Sequence, residues 1–270
     1  MADKEKPPTI TAYLMGGLGN QMFQVAAALA CARNNHGRCV IPGGPDQRMT
    51  RKIAYTNTMF SKVPVLNEPI HFLAYNEPKH CYSPLPTDIG SKNIVLCGYY
   101  QSPKYFAGHE SLIRETFSPT AEVAAAITEK KLSFENSLAI HVRRGDYLNF
   151  PTIHPTLSIE WYQRALETVG SKFESVYIFS DDIAWCREKP VFQALNPMFV
   201  DEPDYVSLYI FSKCSAHIIA NSSFSWWGAF LAGETTRKVV YPVNWFGPEG
   251  PSTFKLEDLI PANDSRWVGV

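Results

Sequence analysis

The chain has 270 residues, 45 % of them apolar and 19 % charged, with a net charge of −1. This length suits two ordinary domains or one large one, and the composition is that of a globular protein with a sizeable core. A balance this near neutrality offers no global field for nucleic acid or an anionic membrane, so any basic site has to be local.

The amino-terminal stretch MADKEKPPTITAYLM holds no long apolar run and no signal-peptide pattern. No later run reaches the length of a membrane span, so a cytoplasmic location is expected. Thr9–Met15 reads as a buried strand, Gly16–Gln21 as a glycine turn and the Ala-rich Met22–Gly37 as a buried helix. Arg38–Pro42 is a second strand, which completes a βαβ unit. From Pro42 to about Tyr82 the many Pro and Asn residues predict loops with short elements. Asn93–Ser102 returns to strand, Glu110–Phe117 is a short amphipathic helix, and Thr120–Asn136 is a helix leading out of this half. The expected boundary divides 1–133 from 134–270.

The second half alternates more cleanly. Strands are expected at Ser137–Val142, Ser175–Ser180, Met198–Val200, Ala216–Asn221 and, last, Lys238–Pro242. Helices are expected at Ser158–Gly170, capped by Ser158 and ended by Gly170, and at Asp182–Lys189, Asp204–Cys214 and Ser222–Gly233. Such alternation implies a mainly parallel, doubly wound sheet, in which ligands bind outside the carboxyl ends of the strands. The unusual polar residues fall at those ends. Cys31, Cys39, Cys81, Cys97, Cys186 and Cys214 are scattered without CxxC spacing, which argues for reduced thiols rather than a zinc site.

Four motifs carry candidate chemistry. In AIHVRRGDYL, Arg143 and Arg144 follow a buried strand and precede a glycine. A surface pair making salt bridges is one reading. The buried strand and sharp turn favour the other, an anion site built on an arginine fork. In ANSSFSWWGAF, Asn221, Ser222 and Ser223 stand where strand becomes helix. One of them suffices as a cap, whereas three together with free helix N–H groups make an anion cradle. GGLGNQ lacks the Lys-Ser/Thr of a phosphate loop, and Met22 replaces the third glycine of the dinucleotide fingerprint. Its glycines permit close approach of backbone to a ligand. Asp181 and Asp182 after the Ser175–Ser180 strand fit a metal-binding pair, a helix cap, or a brace for an arginine or nucleotide.

In order along the chain, GGLGNQMFQ, GYYQSPKYF, HVRRGDY, IFSDDIAWC and IIANSSFSWWGAFL resemble glycosyltransferase family 11, the α-1,2-fucosyltransferases. The likeness spans nearly the whole chain, and the arginine motif is similar to that of the α-1,6- and protein O-fucosyltransferases. It implies a GT-B-like α/β fold, two Rossmann-like domains with a cleft between them. The first, 1–133, would be the acceptor side and the second, 134–270, would bind GDP-fucose. It implies inverting transfer of fucose from GDP-fucose to a hydroxyl of an oligosaccharide acceptor, the 2-OH of a terminal galactose being the family's usual target. GDP-fucose is then a co-substrate, and neither a cofactor nor a metal is expected.

By the same resemblance, Arg143 grips the β-phosphate, His141 lies near the guanine, and Ser222, Ser223 and Phe224 meet the diphosphate. Asn221, Asp181, Asp182 and Asp204 join the donor set, and Gly17, Gly19, Asn20 and Gln21 close over the donor. Tyr100, Gln101, Lys104 and Tyr105 of the second motif are the implied acceptor residues. Asp146 is the carboxylate nearest the reacting centre; acting as base and bracing an arginine are its two open roles. Ser207 and Tyr209 depart from the more acidic or Met-rich helix of the family, and the chain is short for it. It also begins without the amino-terminal anchor of the animal Golgi members, the pattern of a soluble, bacterial-like or viral-type enzyme. Two rivals remain: a metal-dependent nucleotide-sugar transferase using Asp181 and Asp182, and an inactive glycan- or nucleotide-binding relative.

Overall fold

The structure is a computed structural model that describes residues 6–42, 55–67, 69–170, 172–261 and 264–270. Residues 1–5 of the amino-terminal stretch, and residues 43–54 and 68 of the stretch read as loops, lie outside the described residues. The chain forms two compact units, Met1–Thr120 with Thr253–Ile260 and Ala121–Ser252 with Pro261–Val270.

The first unit starts with β1 (Thr9–Ala12), buried at every position. The helix α1 (Leu18–Asn34) follows, and its alanines and large apolar residues are buried on nearly all sides. That explains why its sequence is apolar around the whole circumference rather than along one stripe. The short strands β2 (Arg38–Cys39) and β3 (Ile41–Pro42) split the single predicted strand. β3 pairs with β4 (Val65–Leu66) in a separate two-stranded ribbon. β5 (Leu73–Asn76) and β6 (Ile94–Cys97) complete a parallel four-stranded sheet of order β2-β1-β6-β5. β5 is a short element inside the stretch read as loops with short elements: its residues are largely exposed, so it lacks the apolar alternation that would place it in advance. α2 (Glu110–Thr116) stands as predicted.

The second unit opens with α3 (Ala121–Glu129), which the sequence reading assigned to the first half. The division therefore falls at Thr120/Ala121 rather than at 133/134. β7 (Ser137–Val142), β8 (Ser175–Ser180), β9 (Met198–Val200), β10 (Ala216–Ile218) and β11 (Lys238–Tyr241) match the predicted strands. α4 (Ile159–Val169) begins at Ser158, whose hydroxyl accepts the Trp161 N–H at 3.3 Å, and ends at Gly170. α5 (Ile183–Arg187), α6 (Pro190–Gln193), α7 (Asp204–Lys213) and α8 (Ser223–Ala232) supply the other crossovers. Near the carboxyl end, α9 (Leu256–Leu259) belongs to the first unit, and β12 (Trp267–Gly269) adds a strand beyond the one expected to be last.

The six strands of this unit are all parallel, in the order β12-β11-β10-β7-β8-β9. Counted from β7, this is the doubly wound order 3-2-1-4-5-6, whose direction reverses between β7 and β10. β7 is buried on both faces, as a central parallel strand has to be. Leu138, Ile140 and Val142 pack with Trp161 and Tyr162 of α4. His141, on the opposite face, meets Phe211 of α7 and Phe224 of α8. Trp226 and Trp227 of α8 are fully buried, and truncating either would cost about 3–5 kcal/mol. α8 is thus fixed in place by its own core residues, and its amino terminus is held at the carboxyl end of β10.

Candidate active site

In the second unit the order in which successive strands are added reverses between the parallel neighbours β7 and β10, so the connections after them run to opposite faces and leave a crevice at their carboxyl ends. Arg143–Asp146 follow β7, and Asn221–Phe224 follow β10. The parallel register Ile140↔Ile218 brings these two segments side by side. Tyr147 ties them together: its hydroxyl donates to the Asn221 carbonyl at 2.8 Å, while the Arg143 guanidinium lies over its ring at 5.1 Å. His154 stacks on the Tyr147 ring, with centroids 4.7 Å apart.

Arg143 holds two carboxylates. Its Nη1 is 2.9 Å from Asp181 Oδ2 and its Nη2 is 2.5 Å from Asp146 Oδ1. Its Nε is buried without a protein partner. Arg144 is oriented differently: its Nε meets Asp182 at 3.0 Å and its guanidinium covers the Trp185 ring at 3.9 Å. Arg144 thereby braces the end of β7 against α5. Asp181 also accepts the Arg144 backbone N–H at 2.8 Å. It comes so near the backbone that a Cβ on Gly145 would stand 2.4 Å from Asp181 Oδ2, which is why glycine follows the arginines. Asp182 caps α5 by accepting the Trp185 N–H at 3.1 Å. Its pKa is lowered first by the Arg144 hydrogen bond. Of the roles read for the acidic pair, Asp182 fills two at once, helix cap and arginine brace, while Asp181 is an arginine brace.

The start of α8 has no side-chain cap. Ser222 is its N-cap residue with extended backbone (φ −140°, ψ 131°), yet its hydroxyl makes no capping bond. A helix start lacking a side-chain cap is a place where backbone N–H groups can donate to an anion. Ser223 and Phe224 are the first two residues of this helix. Asn221 does something else. Its buried amide donates to the carbonyls of Pro155 and Trp245, both at 3.0 Å, and so pins two loops. His141 is only 5 % exposed, and its Nδ1 is 2.9 Å from Ser225 Oγ, one turn into α8. Burial, then the charge of Arg143, pushes its pKa down to about 3, so the ring is neutral. It is placed to hold α8 against β7, and the guanine contact expected of it would have to use the little surface it exposes. Asp204 begins α7, beyond β9 at the edge of the sheet, and accepts the Tyr205 N–H at 2.8 Å.

The remaining predicted residues lie in the first unit. The glycine turn is shorter than the motif suggests: Gly17 is the N-cap of α1, and Gly19, Asn20 and Gln21 are already helical. Gly16, at φ +76°, makes the turn itself. Gln21 Nε2 donates to the Gly16 carbonyl at 3.0 Å, and Gln101 Nε2 donates to Asn20 Oδ1 at 2.8 Å. Tyr100 is a core residue, 1 % exposed, with its hydroxyl given to the Tyr75 carbonyl at 2.9 Å; it is not placed to touch an acceptor. Lys104 pairs with Asp258 at 2.5 Å. Gln101 and Tyr105 line a shallow, open surface depression with Glu77, Tyr82, Tyr99 and Asp258.

Several residues of these sites escaped the sequence reading. Ser225 and Tyr147 stand inside the motifs, and the Ser222-x-x-Ser225 spacing places Ser225 one turn beyond the helix start. Glu77 accepts the N–H groups of Tyr99 and Tyr100 and the Tyr105 hydroxyl, but it lies in the stretch that looked irregular and carried no signal.

All six cysteines are free thiols, and burial raises the pKa of Cys39 to about 12. Among the described residues no helix is long and apolar enough to cross a membrane.

The model of "Glycosyl transferase family 11" matches residues 1–260. The chain is 30 % identical to an α-1,2-colitosyltransferase of Escherichia coli, covering 97 % of this chain and 98 % of that one. It is 25 % identical to galactoside α-(1,2)-fucosyltransferase 2 of Pongo pygmaeus, over 96 % of this chain and 78 % of that one. Among solved structures it resembles the α-1,6-fucosyltransferase NodZ from Bradyrhizobium, co-crystallised with GDP. There the TM-score is 0.59 at 13 % identity, over 88 % of this chain and 96 % of that one, a likeness of GT-B-like fold. Family model, relatives and fold agree, and the chain belongs to glycosyl transferase family 11.

Proposed function

We propose that the protein transfers L-fucose from GDP-fucose to the 2-OH of a terminal galactose on an oligosaccharide, with inversion and without a metal. The observation that carries this reading is the pairing of the Arg143 fork with the uncapped start of α8 at the switch point of the second sheet. As the bond from the anomeric carbon to the β-phosphate breaks, the leaving diphosphate gains negative charge. Arg143 and the first N–H groups of α8 stabilise that charge in place. The acceptor hydroxyl attacks from the opposite face, forming the new C–O bond as the old one breaks and giving up its proton. In enzymes with an acidic metal site a cation would neutralise the diphosphate. Here Asp181 and Asp182 are each committed to an arginine, which supports charge stabilisation by the protein itself. The second unit is then the donor side.

The acceptor side is the first unit, with the open surface beside Gln101 and Tyr105 as the seat of the galactoside. Its mixture of tyrosine rings and carboxylates suits a sugar, which presents C–H faces and hydroxyl edges. Likeness to a colitosyltransferase supports a second donor reading, since colitose differs from fucose in lacking the 3-hydroxyl. A side-by-side transfer assay with GDP-fucose, GDP-colitose and a UDP-sugar on galactose-terminated acceptors, with linkage analysis of the product, tests both. Preference for GDP-fucose with an α-1,2 product is expected. Preference for GDP-colitose selects the second reading, and preference for the UDP-sugar refutes both.

A further inference from the structure

The arginine motif is not a bare positive site. Two arginines there face three carboxylates, Asp146, Asp181 and Asp182, in direct ion pairs. An incoming diphosphate therefore meets a site already compensated by negative charge, and something has to give way.

The two carboxylates on Arg143 are held unequally. Asp181 is 26 % exposed, accepts the Arg144 N–H at 2.8 Å as well as Nη1 of Arg143, and is wedged against Gly145. Asp146 is 62 % exposed and sits in the short 3-10 turn Gly145–Asn149, with its ion pair to Nη2 as its contact. Its ion pair is to Nη2 alone, which leaves Nε, the other donor of the Nε–Nη2 edge, unfilled. Nε stays buried and unpartnered, a state that costs free energy until an acceptor arrives. A phosphate takes such an edge bidentately, replacing one charged hydrogen bond with two.

The geometry points to Asp146 as an exchangeable counter-ion that occupies the phosphate seat of Arg143 in the empty protein and is displaced by the donor diphosphate, while Asp181 remains as the permanent brace. This rests on the proposed GDP-sugar reading and assigns Asp146 a positioning role. No bond is made or broken in the exchange; Arg143 passes from a carboxylate to a phosphate, and Asp146 is released to solvent.

Calorimetric titration of GDP into the full-length protein tests it, using the wild type, Asp146→Asn, Asp146→Ala and Asp181→Asn, with the unliganded melting temperature of each. Removing a competing carboxylate worth an exposed ion pair should tighten GDP binding about two- to five-fold in both Asp146 variants. Loss of the permanent brace in Asp181→Asn should weaken it. A merely structural Asp146 would loosen binding, never tighten it. Wild-type GDP binding with equal or weaker binding in both Asp146 variants overturns the exchange while leaving the functional reading intact. No GDP binding by the wild type overturns the functional reading and the exchange with it.

Discussion

Asp181 holds Arg143 by its side chain and Arg144 by its backbone: one carboxylate accepts Nη1 of the first at 2.9 Å and the N–H of the second at 2.8 Å. The adjacent arginines are thereby given different jobs, with Arg143 kept at the mouth of the switch point and Arg144 turned away onto Trp185. Arg143→Lys keeps a charge but loses the fork. It should lower kcat/KM in a fucosyl-transfer assay by about two to three orders of magnitude. Arg144→Lys should cost at most about tenfold in activity and appear mainly as a lower melting temperature, since its stacking on Trp185 and its Nε contact to Asp182 are structural.

Ser222 occupies a cap position without capping. An ordinary Ser N-cap replaced by Ala costs about 1 kcal/mol. Ser222→Ala should cost well under that in a urea titration, because no cap bond is lost, yet weaken GDP binding several-fold. A full capping penalty with unchanged GDP affinity would make Ser222 an ordinary helix start.

His141 and His217 are both buried and neutral. Burial lowers the pKa of each, to about 3 and about 4, with the Arg143 charge adding to the effect on His141. Unfolded histidines titrate near 6.5. Below that pH the unfolded chain takes up protons that the folded chain refuses, so stability is full above pH 6.5 and falls as pH drops toward 4. Each histidine contributes up to about 1.4 kcal/mol per pH unit in that window. Urea midpoints at pH 7.5, 5.5 and 4.5 would show the decline, and His217→Gln should flatten it even though it lowers the midpoint at neutral pH.

Asp258 fastens the segment Thr253–Ile260 to the first unit. Its carboxylate takes Lys104 Nζ at 2.5 Å and the Tyr82 N–H at 3.0 Å, and its carbonyl takes the Ser102 hydroxyl. Burial works against its charge, but Lys104 and the Tyr82 N–H outweigh it and its pKa is lowered. Asp258→Asn removes the charge from a largely buried carboxylate that holds half-exposed Lys104, and should destabilise by about 1–2 kcal/mol. Limited proteolysis should then cut first within 253–260. Protection equal to the wild type would show that the segment is held by its apolar contacts alone.

The second unit was largely legible because a central parallel strand writes itself as an unbroken apolar run, and its punctuation by Ser158 and Gly170 is local chemistry. The arginine and serine motifs could be placed at strand ends for the same reason. The partners of those motifs could not. That Asp181 and not Asp146 is the fixed brace depends on β8 lying beside β7, a contact 37 residues away in sequence. β5 is not placed by the sequence because an exposed edge strand lacks periodicity, β12 because three residues are too few to show one, and Tyr100 reads as a ligand contact because an exposed tyrosine and a core tyrosine read alike. The return of 253–260 to the first unit has no sequence signature at all; it rests on the contacts of Asp258 with Lys104, Tyr82 and Ser102, on Thr253, which accepts the His80 N–H, and on buried Leu259.

The central claim is that Arg143 and the start of α8 hold the diphosphate themselves. Its most direct test is calorimetric titration of GDP into the wild type and Arg143→Lys after exhaustive chelation. The account predicts GDP binding by the chelated wild type, unchanged on adding Mn²⁺, and at least about tenfold weaker binding by Arg143→Lys. Binding that appears only with Mn²⁺, or that is the same in both proteins, would contradict it.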